Sequence, residues 1–515
     1  MPEQEILLEL PGQPASPSPA LAEAPLRPKL IPIDRSQSRW VPMAVEALIP
    51  EDHKARGIWE LTGRLDLGRY ANQIRSAEGS AGRAAWDPRL LLSLWLYGYS
   101  EGITSAREME RALGHEPGLQ WLSGMEVINH HTLGDFRVDH GEELDELFTQ
   151  LLVALEQVGL VQLERVMHDG TKVRAQAGGD SFRREKTVQE KLAQARELVQ
   201  EDPGGMGGQR REAAQKRARR EREERLSQAL QELEKIRESK PTEQDKQKAR
   251  VSVSEPEARM MKHGDHAIAP SYNVQVSTDA EAGVIVGVDL SQHSEDSHGL
   301  EPAVEVVKEN LGREPQQLVA DGGFTNRESI EKMEARGIDF IGSLPDPKQR
   351  SEAAMKSVGI DPKFAPHFFI FQPESNSLEC PAGKRMNYVG PSRKRGNHYR
   401  QYRAEGKDCQ GCGYQKPCCP RAPWKGRMVS RLEKEHAVVA KFREKIARPE
   451  AQAIYRQRGA VAEFPFAWIK EKFGMRKFLL VGMAKARIEA VWACLTHNLM
   501  IWIRRCWRHP DAAAA

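Results

Sequence analysis

The spacing of apolar residues changes along the chain from helical to strand-like, and this change predicts its main elements. Between residues 40 and 160, apolar side chains recur at helical spacing. Examples are residues 90–99, which Pro88 opens, and residues 144–160. We therefore expect a compact helical region in this part of the chain. The apolar run at 90–99 is too short to span a bilayer.

Short apolar segments follow, and their length and alternation predict strands. They are residues 163–167, 272–277, 283–288, 318–320 and 338–344. The second and third form a hairpin, and a helix is expected at 300–311. Strand, hairpin, helix, strand, helix and strand is an order typical of a mixed α/β sheet flanked by helices.

The helix that follows Asp321 has a recognisable start and end. Thr325 with Glu328 three residues later predicts a capping box, in which each side chain bonds the backbone of the other residue. Gly337 is expected to end this helix.

Residues 182–250 are strongly charged and helical in pattern, with 19 basic and 14 acidic residues in 181–250. An Asp-Pro-Gly-Gly sequence at 202–205 divides the segment, and Pro241 ends it. We expect two exposed helices with too few apolar residues for a core of their own. Their basic run is a candidate contact for DNA, and a solvated charged face is the alternative. The run comprises Arg210, Arg211, Lys216, Arg217, Arg219 and Arg220.

Overall charge says little, because the net charge of the 515 residues is only +3. The local balance says more. Residues 381–430 hold 12 Lys and Arg against Glu405 and Asp408, a balance of +10. A basic segment on a near-neutral chain suits contact with a phosphate backbone.

The number and clustering of the cysteines indicate the cellular compartment of the protein and a second candidate metal. Five of the seven cysteines lie within residues 380–419, and residues 1–30 show no secretory signal. This favours a reducing cytoplasm and metal ligation over disulfides. Cys380, Cys409, Cys412 and Cys418 are candidate ligands of a tetrahedral structural zinc, with Cys419 as a spare. The alternative is a set of reduced cysteines without metal.

Three acidic residues stand at the edges of different apolar segments. Asp169 stands at the end of the first predicted strand, Asp321 follows the fourth, and Glu463 stands at the entry to a later helix. The carboxyl ends of strands in open α/β sheets are where ligands bind. Gathered carboxylates are oxygen ligands for hard cations such as Mg²⁺, and two such ions can cleave a phosphodiester. For each acid alone, a turn or cap role is the alternative.

Tyr455, Arg458 and Lys470 accompany Glu463. Seven residues on a helix turn about 700°, so Glu463 and Lys470 share one face. A carboxylate and a cation on one face suit a phosphodiester held over a metal. Pro465 places Glu463 at the start of its helix, because proline is tolerated only in the first turn.

Taken together, these motifs resemble the DDE transposases of bacterial insertion sequences, in particular the group with a Tyr-Arg-Glu-Lys signature. The resemblance rests on Asp169-Gly170-Thr171-Lys172, Ala320-Asp321-Gly322-Gly323-Phe324, Tyr272-Asn273-Val274-Gln275, the Tyr-x-x-Arg and Glu-x6-Lys series, and the helical stretch at 91–107. It covers roughly residues 45–505. One departure is Phe464-Pro465, where this group has proline directly after the glutamate.

The resemblance implies a ribonuclease-H-like core that holds two Mg²⁺ ions, which Mn²⁺ can replace, on Asp169, Asp321 and Glu463. It also implies that Tyr455, Arg458 and Lys470 position DNA phosphates. The expected partners are double-stranded DNA, as terminal inverted repeats and target, and further copies of the chain, in the bacterial cytoplasm at the nucleoid and without a membrane. The expected activity is cleavage of element ends and joining of their 3′-hydroxyls to target DNA.

Two alternatives remain open. One is a ribonuclease-H-like nuclease without strand transfer, and the other is a non-catalytic DNA-binding protein derived from an element. The expected division of the chain is the same for all of them. It comprises a disordered leader at 1–40, a helical domain at 41–160, the first part of the core at 161–344 with its insertion at 182–250, a basic Cys-rich insertion at 345–430, the C-terminal helices of the core at 431–507 and a disordered tail at 508–515.

Overall fold

The computed structural model describes residues 42–74, 84–201, 209–394 and 396–507. The expected disordered leader and tail lie outside these residues. From Val45 onward the chain forms one unit. No helix in the described ranges combines the length and apolarity that a membrane span requires.

The first part of the chain is helical, as predicted. Its helices are α1 (Lys54–Thr62), α2 (Gly68–Asn72), α3 (Pro88–Ser100), α4 (Ala106–Ala112), α5 (Pro117–Ser123), α6 (His130–Asp139) and α7 (Gly141–Gln157). Pro88 is in the first turn of α3, where its missing N–H costs nothing. The carboxylate of Asp87 caps this helix by accepting a hydrogen bond of 2.8 Å from the backbone N–H of Arg89.

A long strand, β1 (Arg165–Arg174), leads from the helices into the charged insertion. The insertion contains β2 (Phe182–Arg183), α8 (Glu185–Gln200), α9 (Gln209–Glu238), α10 (Glu243–Gln247) and β3 (Val251–Ser252). The two long helices were predicted, but the prediction that they lack a core is wrong. Val188 and Leu192 of α8 pack with Leu226 and Leu233 of α9 in a small separate cluster. One apolar residue per turn suffices here, because the two helices share one narrow seam.

The central sheet is mixed, as predicted. After the insertion come β4 (Arg259–Lys262), β5 (Ile268–Asp279), β6 (Ile285–Ser291), α11 (Leu300–Leu311), β7 (Gln317–Ala320), α12 (Arg327–Ala335) and β8 (Asp339–Ile341). The strand order is β4-β5-β1-β7-β8, with β6 also paired to β5. Strand β1 runs antiparallel to β5 and parallel to β7. The sequence missed β4, whose Arg-Met-Met-Lys has no alternating pattern.

The predicted cap of α12 is wrong by one residue. Asn326, rather than Thr325, is the N-cap, and its side chain accepts from the N–H of Ser329 at 3.0 Å. The hydroxyl of Ser329 in turn accepts from the N–H of Asn326 at 3.0 Å. Thr325 instead donates to the carbonyl of Asp321 at 2.9 Å, so its hydroxyl closes the turn after β7.

The basic Cys-rich segment forms an antiparallel sheet of its own, in the order β13-β12-β11-β10-β9. Its elements are α13 (Pro347–Ser357), β9 (Ile370–Gln372), β10 (Ser377–Glu379), β11 (Arg385–Lys394), β12 (Asn397–Ala404), α14 (Gly406–Gln410), α15 (Gln415–Cys418) and β13 (Met428–Lys434). Leu378, Met386, Tyr402 and Val429 are buried at its centre.

The chain ends in helices that return to the central sheet. They are α16 (Ala437–Ile446), α17 (Pro449–Arg456), α18 (Phe464–Lys472) and α19 (Met483–Trp502). Helix α19 is buried around most of its surface, and it packs against α3, α7 and β6. The helical region and the sheet therefore share one hydrophobic core.

Candidate active site

Strand register brings the first two predicted carboxylates together. Strand β1 pairs with β7 from Arg165 opposite Gln317 to His168 opposite Ala320. Asp169 and Asp321 are the next residues on the two strands. They therefore lie side by side where β7 ends, at the carboxyl edge of these parallel strands.

Asp169 is buried more deeply than an ionised carboxylate usually is, with 16% of its side chain exposed. The N–H of Gly170 donates to its Oδ1 at 2.8 Å, and Arg458 Nη1 donates to its Oδ2 at 3.0 Å. Burial raises the pKa of Asp169 to about 6, although the Gly170 amide and Arg458 oppose this rise. The nearby charges of Asp321 and Glu463 raise the pKa further.

Arg458 links the third carboxylate to the first. Its Nη2 donates to Glu463 Oε1 at 2.6 Å while its Nη1 contacts Asp169. Burial disfavours the charge on Arg458, but Asp169 and Glu463 outweigh this and raise its pKa. One guanidinium thus neutralises charge on both carboxylates.

Glu463 stands at a local irregularity of its helix. Gly459–Glu463 form a π-helical turn that continues into α18, with Pro465 in the first turn of α18. Proline has no N–H to donate, so the wider turn before it accommodates the residue without a kink deeper in the helix. The predicted position of Glu463 at the helix start is confirmed.

Asp321 is held by the turn that follows β7. Its Oδ1 accepts from the N–H of Gly323 at 2.8 Å and from that of Phe324 at 3.4 Å. These two hydrogen bonds fix the carboxylate of Asp321 beside the end of β7.

Lys470 reaches the site from α18. Its ammonium group contacts the hydroxyl of Thr171 on β1. Burial lowers the pKa of Lys470, the charge of Arg476 lowers it further, and Asp169 opposes both effects.

Tyr455 packs below the site, against the apolar cluster of Met167, Val319 and Ala462. Arg458 and Lys470 thus contact the first strand of the site directly, whereas Tyr455 supports it from below.

The side chains present suit a hard cation, since the three gathered acids offer only oxygen ligands. Within the described ranges, no set of three or more His, Cys, Asp or Glu side chains is arranged as a metal site. The guanidinium of Arg458 stands between Asp169 and Glu463 instead.

A polar network on the opposite face of the sheet was not predicted as part of the site. His168 and Gln275 are buried, and His168 Nε2 lies 2.9 Å from Gln275 Oε1. Gln275 and Asn273 both donate to Asp296, at 3.2 and 2.7 Å. The signal was present in Tyr272-Asn273-Val274-Gln275, where amides occupy alternate positions of a strand buried on both faces.

The cysteines gather beside the second sheet. Cys380, Cys409 and Cys418 pack against its core, and burial raises the pKa of Cys418 to about 11. Backbone N–H groups donate to the sulfur atoms of Cys380, Cys409 and Cys412 at 3.3, 3.3 and 3.4 Å. The described thiols do not form a ready metal site in this arrangement.

The arginines of the basic run on α9 differ in their surroundings, since some are exposed and one bonds the end of α8. Arg211, Arg217 and Arg220 are exposed. Arg219 Nη1 donates to the carbonyls of Leu198 and Glu201 at 2.6 and 2.9 Å, so Arg219 caps the end of α8. The side chain of Arg210 lies outside the described residues.

Comparisons with known proteins add family information. A model of the transposase DDE domain matches residues 379–501, and a model of the transposase domain DUF772 matches residues 43–139. The first match includes Arg458, Glu463 and Lys470. No curated protein matches the chain.

Proposed function

Since the chain belongs to the DDE transposases of insertion elements, we propose that it cleaves the ends of its own element and joins the freed 3′-hydroxyls to target DNA. One observation carries the proposal. The register of β1 and β7 puts Asp169 beside Asp321, and Arg458 connects Asp169 to Glu463. Three carboxylates distant in sequence thus occupy one place in the fold.

The proposed core is ribonuclease-H-like. The antiparallel pairing of β6 with β5 and of β5 with β1, and the parallel β7 and β8 on the other side of β1, support this assignment. Asp169, Asp321 and Glu463 would hold two Mg²⁺ or Mn²⁺ ions. When bound, such ions activate the attacking oxygen and stabilise the leaving oxygen.

Arg458 and Lys470 are proposed to hold phosphates, with Tyr455 positioning the segment that carries Arg458. Arg458 contacts two carboxylates in the absence of DNA. Its guanidinium would exchange one of these contacts for a phosphate oxygen, which accepts the same paired hydrogen bonds. The ammonium group of Lys470 contacts Thr171 on β1. From there Lys470 would contact the DNA strand from the other side of Asp169.

Loss of cleavage without loss of DNA binding tests the proposal. The variants Asp169→Asn, Asp321→Asn and Glu463→Gln remove one charge each and keep the shape of the side chain. They should bind a fragment that carries the element's inverted repeat and fail to cut it. Glu471→Gln is the matched control, because Glu471 lies on the same helix, α18, in an exposed pair with Arg476. If one of these variants still cuts the DNA, the residue that it replaces is not one of the three catalytic carboxylates.

A joining assay separates the proposal from its rivals. Pre-cut ends with a free 3′-hydroxyl should be joined to plasmid DNA by the unmodified protein. Cleavage without joining would indicate a nuclease, and binding without either would indicate a non-catalytic DNA-binding protein. Joining both ends of one element to one target brings the two ends together, so we propose that the chain acts as a dimer or larger oligomer on DNA, in the bacterial cytoplasm at the nucleoid.

We also propose a structural zinc held by Cys380, Cys409, Cys412 and Cys418. The support is their common position and the N–H groups that face three of the sulfur atoms. Small thiol displacements would be needed to close the site. Elemental analysis of the purified chain should find one zinc, lost in Cys412→Ser and kept in Cys419→Ser. A folded, zinc-free chain would exclude this site.

A further inference from the structure

The face of the central sheet opposite Asp169 carries a chain of polar side chains. Successive residues of a strand point to opposite faces, so His168 and Gly170 face away from Asp169. Their partners in the register are Ser277 and Gln275 of β5. His168 bonds both partner side chains, with Nδ1 2.9 Å from Ser277 Oγ and Nε2 2.9 Å from Gln275 Oε1.

This chain of side chains ends at a carboxylate, that of Asp296, in the segment between β6 and α11. Asn273 Nδ2 and Gln275 Nε2 both donate to its Oδ1, at 2.7 and 3.2 Å. Its Oδ2 accepts no hydrogen bond from the part of the chain that the structure describes. One oxygen is thus fixed by two amides, and the other remains available.

The available oxygen of Asp296 and the carboxylate of Asp321 approach the same residue, Gly323. A methyl group placed on Gly323 would lie 3.5 Å from Asp296 Oδ2 and 3.0 Å from Asp321 Oδ1. A methyl group on Gly170 would lie 3.0 Å from Asp296 Oδ1. The two glycines therefore leave space on either side of Asp296, and the carboxylates of Asp296 and Asp321 flank a single small residue.

Two carboxylates this close repel each other unless a cation lies between them. Arg458 contacts Asp169 and Glu463, not Asp296. Lys470 contacts Thr171, so neither of the two cationic side chains of the site bonds Asp296.

We infer that Asp296 is a fourth carboxylate of the metal site, and that it provides an oxygen ligand from the face of the sheet opposite Glu463. This inference rests on the proposed function. Glu463 is joined to Asp169 through Arg458 on one face, and Asp296 approaches Asp321 from the other, so each member of the pair has a second acid beside it. Asn273 and Gln275 act as positioning residues for Asp296, and His168 orients Gln275.

The competing explanation is that Asp296 only shapes the loop before α11. Its backbone carbonyl does accept from the N–H of Gly299 at 3.0 Å. The variant Asp296→Asn separates the two roles. Its side-chain oxygen can still accept from Asn273 and Gln275, so the loop is kept while the charge is lost. Glu295→Gln is the matched control, since it removes a charge from the adjacent, exposed residue.

The test is binding of Mn²⁺ alone to the full-length chain, followed by electron paramagnetic resonance and by calorimetry. We expect Asp296→Asn to weaken the second Mn²⁺ about 10- to 100-fold, the range seen when groups around a metal site are removed. Asp296→Glu keeps a carboxylate and should lose less affinity than Asp296→Asn. Glu295→Gln should bind as the unmodified chain does. Thermal unfolding without metal checks that each variant is folded.

The outcomes distinguish this inference from the function on which it rests. Asp169→Asn should weaken Mn²⁺ binding in either case. If Asp169→Asn weakens binding and Asp296→Asn does not, Asp296 is a loop residue and only the inference is wrong. If neither the unmodified chain nor any variant binds Mn²⁺, the proposed metal site itself fails. Should Asp296→Asn unfold, a weaker second Mn²⁺ in Asn273→Ala would support the inference, and an undiminished affinity of Asn273→Ala would overturn it.

Discussion

At the scale of single residues, the site is defined by buried charge. The burial of Asp169 disfavours its ionisation, and the ion pair with Arg458 offsets only part of the free-energy cost of the buried charge. Residues arranged for binding or chemistry often reduce the stability of the fold, because the surrounding structure is selected for the bound state. Asp169 is therefore expected to destabilise the protein when no metal or DNA is present.

The variant Asp169→Asn should be more stable than the unmodified chain at pH 7 without metal. The folded-state pKa of Asp169, about 6, lies above the ordinary value of 3.8, so ionisation at pH 7 opposes folding. The gain should be roughly 1 to 3 kcal/mol in the free energy of unfolding. It should shrink as pH falls below 6 and be largely gone at pH 4, because Asp169 is then protonated in the folded state and nearly half protonated in the unfolded state.

Thermal unfolding in a chelator at pH 7 and at pH 4 measures this difference. Asp265→Asn is the control, because Asp265 is exposed and pairs only loosely with Arg174. A lower melting temperature for Asp169→Asn at pH 7 would contradict the claim that the ionised, buried carboxylate of Asp169 destabilises the fold.

Sequence patterns located the acids but not their surroundings. Asp321 and Glu463 could be predicted because each ends or begins an element with a clear apolar pattern. The prediction that the first strand ends at Asp169 is wrong, since β1 continues to Arg174 and Asp169 lies in its middle. The ion pairs of Arg458 could not, since they depend on how α17 and α18 return to β1. Asp296 was missed because an acid in a polar loop looks like any turn residue. Only the amides of Asn273 and Gln275, on a strand buried on both faces, indicated a buried polar partner.

At the scale of elements, the side chain of Asn498 bonds helix α19 to the backbone of β6 in the central sheet. Asn498 is fully buried, and its Nδ2 donates to the carbonyl of Ile285 at 2.7 Å. The N–H of Ile285 donates to Asn498 Oδ1 at 2.8 Å. Asn498 thus satisfies both backbone groups of Ile285 on the open side of β6, where no further strand pairs.

Replacement of Asn498 by Ala should destabilise the protein by about 2 to 4 kcal/mol, because two buried backbone groups lose their partners. Asn310→Ala is a matched control. Asn310 donates a single bond of 2.9 Å, to the carbonyl of Val286, and is only half-buried, so its loss should cost about 1 kcal/mol. Equal effects of the two variants in denaturant unfolding would show that Asn498 does not hold β6.

The basic run of α9 gives a prediction about DNA. Arg217 and Arg220 are exposed, whereas Arg219 caps α8. Replacing Arg217 and Arg220 by Ala should reduce the slope of log K against log salt concentration by about 2, since each phosphate contact contributes about 0.9. Arg219→Ala should instead lower the melting temperature. An unchanged salt slope in the double variant would remove α9 from the DNA-contacting surface.

Element prediction succeeded where one pattern dominates. Helix α11 was predicted with the bounds that the structure has, because Ala303, Val304 and Val307 mark one apolar face. The sheet of the Cys-rich segment was not predicted, because Gly, Pro and charged residues interrupt its strands. The core of α8 and α9 was missed because their apolar residues are few and become a seam only when the two helices pair.

At the scale of the whole molecule, the helical region and the sheet depend on a common core. Trp95 and Tyr99 of α3 pack against Trp492 of α19, with ring centroids 6.4 and 6.2 Å apart. Arg487 of α19 donates to both carboxylate oxygens of Asp145 on α7, at 3.0 and 2.8 Å. The expected domain limits near residues 160, 344 and 430 remain a prediction, which limited proteolysis can examine.

The central claim is that Asp169, Asp321 and Glu463 meet at one divalent-metal site. Iron-directed cleavage tests it most directly, because Fe²⁺ bound at such a site with ascorbate cuts the nearby polypeptide. The account predicts cuts close to residues 169, 321 and 463, prevented by excess Mg²⁺ and absent in Asp169→Asn. Cuts confined to other segments, or cuts that persist unchanged in Asp169→Asn, would contradict it.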